Sequence, residues 1–137
     1  MLGKTRRPEL RALLGDYAER IRRFAELEID ELREESPSAL RRLKIEPGAA
    51  VLLLDAAGKQ FTSGQFARFV GDLRDRGSRE IVFLCGGAEG FPEALREKAS
   101  HKFSLSALTM PHELARVVLA EQIYRAFTIL SGHPYPR

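Results

Sequence analysis

The 137-residue chain contains no tryptophan, one cysteine (Cys85) and three histidines. Each scarcity excludes something. A single cysteine cannot close a disulfide within the chain, which fits a reducing, cytoplasmic setting. No stretch approaches the roughly 18 consecutive apolar residues of a membrane-spanning helix. No apolar leader follows Met1, so neither secretion nor a membrane partner is expected. No Gly-Lys-Ser/Thr triplet closes a glycine-rich stretch, which excludes a P-loop, and the Gly-x-Gly-x-x-Gly spacing of dinucleotide sites is absent as well. Repeats and low-complexity tracts are also missing.

What remains is the composition of a globular protein. Hydrophobic residues make up 44% and charged residues 30%. A chain of this length suits one domain, residues 1–137, able to bury about 65–70% of its unfolded surface. The net charge is +3 and the isoelectric point about 9.3. That balance permits contact with nucleic acid without demonstrating it. Arg6-Arg7, Arg20 with Arg22-Arg23, and Arg41-Arg42 with Lys44 form small basic clusters. Acids are interleaved with them, and on charge alone a solvated helix face is the preferred reading.

Hydrophobic periodicity divides the chain. Leu10, Leu13, Leu14, Tyr17, Ile21 and Phe24 recur at three- and four-residue steps, which predicts an amphipathic helix over 8–24. Pro8 suits its start. Residues 26–32 alternate around Leu27 and Ile29 and read as a half-exposed strand. Ser36-Pro37 opens a short helical turn through Leu43, and Pro47-Gly48 breaks the chain. Ala50 to Leu54 is continuously apolar, as in a parallel strand covered on both faces. Asp55-Ala56-Ala57-Gly58 reads as the turn that ends it. Thr62 and Gln65 have capping-box spacing ahead of a helix carrying Phe66, Phe69, Val70 and Leu73, which ends at Gly77.

Ile81 to Leu84 is a second buried strand, and Cys85 to Gly90 a glycine-rich loop. Phe91-Pro92 opens a helix through Leu95. Residues 103–107 alternate as a third strand. Thr109 is a candidate cap, with Pro111 in the first turn, for a final helix that closes at Ser131-Gly132. Strand–helix repeats of this kind predict an α/β fold, a mostly parallel sheet flanked by helices. Ligands bind such sheets beyond the carboxyl ends of the strands, here the loops after Leu54, Leu84 and Ala107.

Four features carry candidate chemistry. Glycines between Gly86 and Gly90 allow close approach of a ligand to backbone, although a tight turn accounts for them too. The segment Leu105-Ser106-Ala107-Leu108-Thr109-Met110-Pro111-His112 mixes small, polar and apolar residues and then starts a helix; strand, turn and cap form the plain alternative, with His112 a first-turn surface residue. Glu121 and Arg125 stand four apart on the last helix, either as a surface pair or as a semi-buried one. The tail His133-Pro134-Tyr135-Pro136-Arg137 is either a frayed end or a strap folded over a pocket.

Taken in order, Leu54-Asp55 with Gly58-Lys59, Gly86 to Gly90, Leu105 to His112, Ala120 to Ala126 and His133-Pro134-Tyr135 resemble the successive motifs of the RlmH family of the SPOUT superfamily. The likeness is close over 50–135 and looser over the rest. It implies a methyltransferase using S-adenosylmethionine and acting on N3 of a pseudouridine in 23S ribosomal RNA, with the assembled ribosome as partner. It also implies a C-terminal trefoil knot and a homodimer with each active site near the interface. Leu54, Gly86, Leu105, Ser106, Ala107, Leu108, Thr109 and Met110 would contact the cofactor. His133, Tyr135 and Arg137 are candidates for proton acceptor, cofactor lid or RNA contact. Catalytically degenerate RNA or cofactor binding is the alternative.

The chain departs from the family pattern in three places. Family members open with a strand ahead of a Val-Gly-Lys turn. Here the sequence begins Met1-Leu2-Gly3-Lys4, so the expectation is that this first strand is missing, or lies in frame upstream. The stretch from Ile29 to Val51 is short. Pro136 stands where the family has a second histidine.

Overall fold

The computed structural model describes residues 1–32, 45–86 and 91–135. Helix α1 spans Pro8–Ile21 and buries Leu14, Ala18 and Ile21. Its cap residue, Arg7, makes no side-chain cap of its own. The carboxylate of Glu113, from the far end of the chain, instead accepts the Arg6 and Arg7 N–H groups. A long-range contact thus serves the N–H of the cap residue itself and that of the residue before it.

Three strands form one parallel sheet: β1 (Ala50–Gln60), β2 (Ile81–Leu84) and β3 (His101–Ser104), in the order β2-β1-β3. The expected parallel α/β architecture is present. β1 lies in the middle because its run is apolar on both faces. Leu52 packs with Phe66, Val70, Phe103 and Leu119, whereas Leu53 packs with Leu2, Leu84 and Leu95. Both leucines are fully buried, each stabilising the fold by roughly 1.5–3 kcal/mol.

β1 does not end at Asp55. Its pairing with β3 runs to Leu54↔Phe103, shifts register, and resumes at Lys59↔Phe103. The expected turn chemistry is real, since the Asp55 carboxylate accepts the Ala57 N–H at 2.9 Å. It produces a bulge instead of a stop. Gly58 lets the chain return against β3, where a Cβ would stand 2.5 Å from the Phe103 nitrogen.

Helix α2 (Ser63–Asp75) begins with the expected capping box. The Gln65 N–H donates to Thr62 Oγ1 at 3.1 Å, and the Thr62 N–H to Gln65 Oε1 at 2.9 Å. Gly77 follows with φ +88°, a left-handed conformation that suits glycine. Helix α3 is one turn, Glu93–Arg96, and helix α4 is long, His112–Ser131. Pro111 is the cap residue of α4 and no side chain caps it, so the capping role expected of Thr109 is not observed. Gly132, with φ +76°, closes α4 as expected. α4 packs on α1 through Val117, Ala120 and Tyr124, and on the sheet and α2 through Leu119 and Ala126.

Two strand expectations need correction. β3 covers 101–104 instead of 103–107, because Ser104 and Ser106 bend the chain. The Ser104 hydroxyl donates to the Ser106 carbonyl at 2.8 Å, and Ser106 Oγ accepts the Leu108 N–H at 2.9 Å. Residues 26–31 form no strand, and only Leu32 pairs, in a single parallel bridge with Leu2. Leu27 and Ile29 still pack against the α1–α4 cluster. Alternation set the burial of this segment, but a strand also needs a neighbour along its length. The helical turn expected near Ser36 to Leu43 lies outside the described residues.

Candidate active site

The strand order brings the expected cofactor residues to one end of the sheet. β1 is central, and Leu53 is level with Leu84 while Leu54 is level with Phe103. Leu54, the Cys85-Gly86 step and the Ser104-Leu105 step therefore stand side by side, each where a parallel strand ends or bulges. Leu54 and Leu105 are half-buried against the main core. The chain then rises through Ser106 into an exposed crest at Ala107, Leu108 and Thr109, with Met110 half-buried. Leu108 is 79% exposed. Gly87 to Gly90 lie outside the described residues.

A pair that sequence reasoning missed braces this end. Arg96 Nη1 on α3 lies 3.5 Å from the Asp55 carboxylate. Asp55 follows Leu54, and α3 follows the loop that begins at Gly86, so the pair ties two walls of the site together. Cys85 is no nucleophile here, because burial pushes its thiol up to about 11 and keeps it protonated at neutral pH.

The tail is packed down instead of frayed as far as Tyr135. The Tyr135 hydroxyl donates to Glu121 Oε1 at 3.2 Å, and its ring meets the Tyr124 ring edge-on at 4.6 Å. The Arg125 guanidinium stands 4.8 Å above the Tyr135 ring and reaches Glu121 Oε1 at 2.6 Å. Glu121 and Arg125 are therefore the semi-buried structural pair, with side chains 18% and 21% exposed. Burial, then hydrogen bonding with Tyr17 and the nearby charge of Glu121, raises the Tyr135 pKa well above its ordinary 10. His133 stands edge-on to the Phe24 ring at 6.3 Å. Arg137 lies outside the described residues.

Among the described residues, no hydrogen bond, ion pair or ring contact joins His133 or Tyr135 to Leu54, Gly86 or the 105–110 segment. The structure groups Leu54, Gly86 and the 105–110 segment in one place and His133 and Tyr135 in another.

A second missed residue is Arg116. It is fully buried, donates to the Thr5 hydroxyl at 2.9 Å and to the Leu2 carbonyl, and lies 3.9 Å from Glu31. The available signal was an arginine inside the apolar run Leu114 to Leu119, one turn from Ala120 on the buried face.

A parallel sheet with a loop cluster at the carboxyl ends of its strands is the architecture of a ligand-binding α/β enzyme. The family model for predicted SPOUT methyltransferases matches residues 1–136, and the chain belongs to that family. Its relatives include proteins named ribosomal RNA large subunit methyltransferase H. That of Geobacter sp. (strain M21) is 43% identical, covering 98% of this chain and 94% of the relative. That of Koribacter versatilis is 40% identical, covering 98% and 92%. That of Agrobacterium fabrum is 47% identical over 78% of this chain and 67% of the relative.

Proposed function

We propose that this protein is an S-adenosylmethionine-dependent methyltransferase of large-subunit ribosomal RNA, and that its target is N3 of a pseudouridine. One observation carries the reading. Leu54, Gly86 and Leu105 to Met110 converge at the carboxyl ends of three adjacent parallel strands in a chain whose relatives bear that enzyme name.

The site fits such a cofactor in its chemistry. Half-buried Leu54, Leu105 and Met110 offer apolar walls to an adenine, and the backbone around Gly86, Ser106 and Ala107 offers donors and acceptors. Bound S-adenosylmethionine would supply an electrophilic methyl group on a sulfonium. The protein's share is alignment: the loops orient the methyl, exclude water and hold the RNA base in line with it. N3 must lose its proton before it attacks. The raised pKa of Tyr135 keeps that phenol protonated at neutral pH, so in this conformation it donates a hydrogen bond and does not take the proton. His133 and Arg137 are the remaining tail candidates for contacts at N3 or the RNA.

In this reading the enzyme is a homodimer with each site near the interface. The separation of tail and loops within one chain supports this, as do exposed Leu13, Leu108 and Leu114. The C-terminal knot belongs to the same reading, as do the assembled ribosome as partner and basic clusters such as Arg20 and Arg22-Arg23 as phosphate contacts. Among the described residues, no helix is long and apolar enough to cross a membrane.

Transfer of labelled methyl to ribosomes lacking the modification is the expected outcome, with the label mapped to one pseudouridine. No transfer by folded protein would reject catalysis. Pro136 favours one second reading, a relative that binds the cofactor without turnover. Calorimetric binding with no transfer would select it.

A further inference from the structure

A cavity of about 290 Å³ lies between the end of β1, α2 and β3, lined by Lys59, Phe61, Phe69, His101, Lys102 and Phe103. None of the expected cofactor or tail residues lines it. Its floor is aromatic. The Phe61 and Phe69 rings lie 5.2 Å apart, and His101 meets Phe69 edge-on at 5.0 Å. Behind them Phe66 stacks on Phe103 at 5.7 Å, which fixes the floor to the core. Phe61 and Phe69 are half-buried and His101 is exposed, so part of each ring stays open. The register explains the grouping. His101 and Phe103 are two apart on β3 and share a face of the sheet. Lys59 pairs with Phe103 after the bulge, which brings the end of β1 alongside.

The rim is basic. Lys59 and Lys102 are exposed, and Lys59 Nζ stands 5.1 Å from the centre of the Phe61 ring. Among the described residues, no Asp or Glu lines the cavity, and no carboxylate pairs with Lys59, His101 or Lys102. Arg20, Arg22, Arg96 and Arg125 are different, each held by a carboxylate. An uncompensated positive rim beside an open aromatic surface is complementary to a ring that carries a negative group. The volume is near the lower bound of ligand pockets, about 300 Å³, which suits a single ring system.

We propose that this cavity seats one unpaired nucleotide of the RNA substrate, its base against the Phe61, Phe69 and His101 rings and its phosphate at Lys59 and Lys102. The inference rests on the reading of the protein as an RNA-modifying enzyme. Two walls of the cavity lead to the expected cofactor residues. β3 runs from Lys102 through Phe103 toward Leu105, and Gly58, at the far end of the bulge from Leu54, lies against the Phe103 backbone. A nucleotide held here anchors the RNA beside the base to be methylated. The lining has no amide or hydroxyl side chain, so the base is held by stacking and its identity is not read.

The test titrates the full chain with two single-stranded RNA hexamers, oligouridylate and oligoadenylate. Both should shift the His101 ring resonances, with affinities within about threefold of each other. Phe61→Leu should weaken each hexamer at least about fivefold. Lys59→Gln replaces an exposed side chain and should reduce the slope of log Kd against log salt by about 0.7. In methyl transfer to ribosomes, both substitutions should raise KM about fivefold with kcat retained. Unmoved His101 resonances, or hexamer affinity unchanged in both variants, would overturn the proposal. So would uridine monophosphate binding here as tightly as the hexamers, because the occupant would then be a free nucleotide. Failure of the unmodified chain to methylate, with His101 still shifted by the hexamers, would reject catalysis and support the pocket. Turnover with KM unaltered in both variants would reject the pocket and leave catalysis standing.

Discussion

α4 carries two arginines that work in opposite ways. Arg116 has no exposed surface and holds Thr5 and Leu2. Arg125 keeps about a fifth of its side chain exposed and holds Glu121 beneath the Tyr135 ring. The same guanidinium is a structural joint in the first place and a positioning arm in the second. Burial makes the difference. Removing a buried hydrogen-bonded charge leaves its partners unsatisfied, at a cost of several kcal/mol, whereas a partly solvated pair contributes about 1 kcal/mol or less. The N-terminal end of α4 therefore governs whether the sheet edge holds together, and its middle governs how the tail is presented.

Four experiments would sharpen or break this contrast. The largest effect is expected from Arg116→Ala, which strands the Leu2 carbonyl and the Thr5 hydroxyl. Urea unfolding should register a loss of about 3 kcal/mol or more, and a loss below about 1 kcal/mol would erase the distinction between the arginines. Gly58→Ala comes next, since its Cβ overlaps the Phe103 backbone. The expected loss is about 2 kcal/mol, accompanied by weaker cofactor binding in calorimetry because Leu54 and Leu105 flank the same bulge.

Glu121→Gln should cost about 1 kcal/mol while disturbing the tail more than the fold. Ultraviolet titration should find the Tyr135 pKa moved back toward 10, and methyl transfer should fall about tenfold with cofactor affinity retained. A pKa unmoved by this change would separate Tyr135 from Glu121.

The smallest effects are in pH dependence. The Arg7 N–H, followed by that of Arg6, lowers the Glu113 pKa below its ordinary 4.5. Its contribution is present above the unfolded pKa and is lost as pH falls through the folded one. Tyr135 is the reverse case. Its raised pKa contributes stability below about 10 that is lost as pH rises above 10 toward the folded value. Glu113→Gln should flatten the acid limb of a stability–pH curve and Tyr135→Phe the alkaline limb, each without altering the other.

Much of the fold was legible in residue order. The apolar run at Val51 to Leu54, the Thr62–Gln65 box, and the glycines at 77 and 132 announced their elements because each acts through local chemistry. The candidate cofactor residues were legible as a resemblance, and the parallel sheet explains how such separated segments stand together. The misreadings share a cause. Asp55 to Gly58 has turn chemistry, yet the chain rejoins β3 because Phe103 lies within reach. Residues 26–31 have strand alternation but no neighbour to pair with. Thr109 has a capping side chain, but the helix starts at His112, with Pro111 as its cap residue.

The same division accounts for the two features hardest to foresee. Residue order settled where helices start, which strands are apolar on both faces, and that the chain alternates strand with helix, because these depend on side chains within a turn or two. It could not settle that Glu113 serves α1 or that Arg116 holds Leu2. Those depend on which segments become neighbours, and hydrogen bonds between residues more than a hundred positions apart exist only once the packing has brought their ends together.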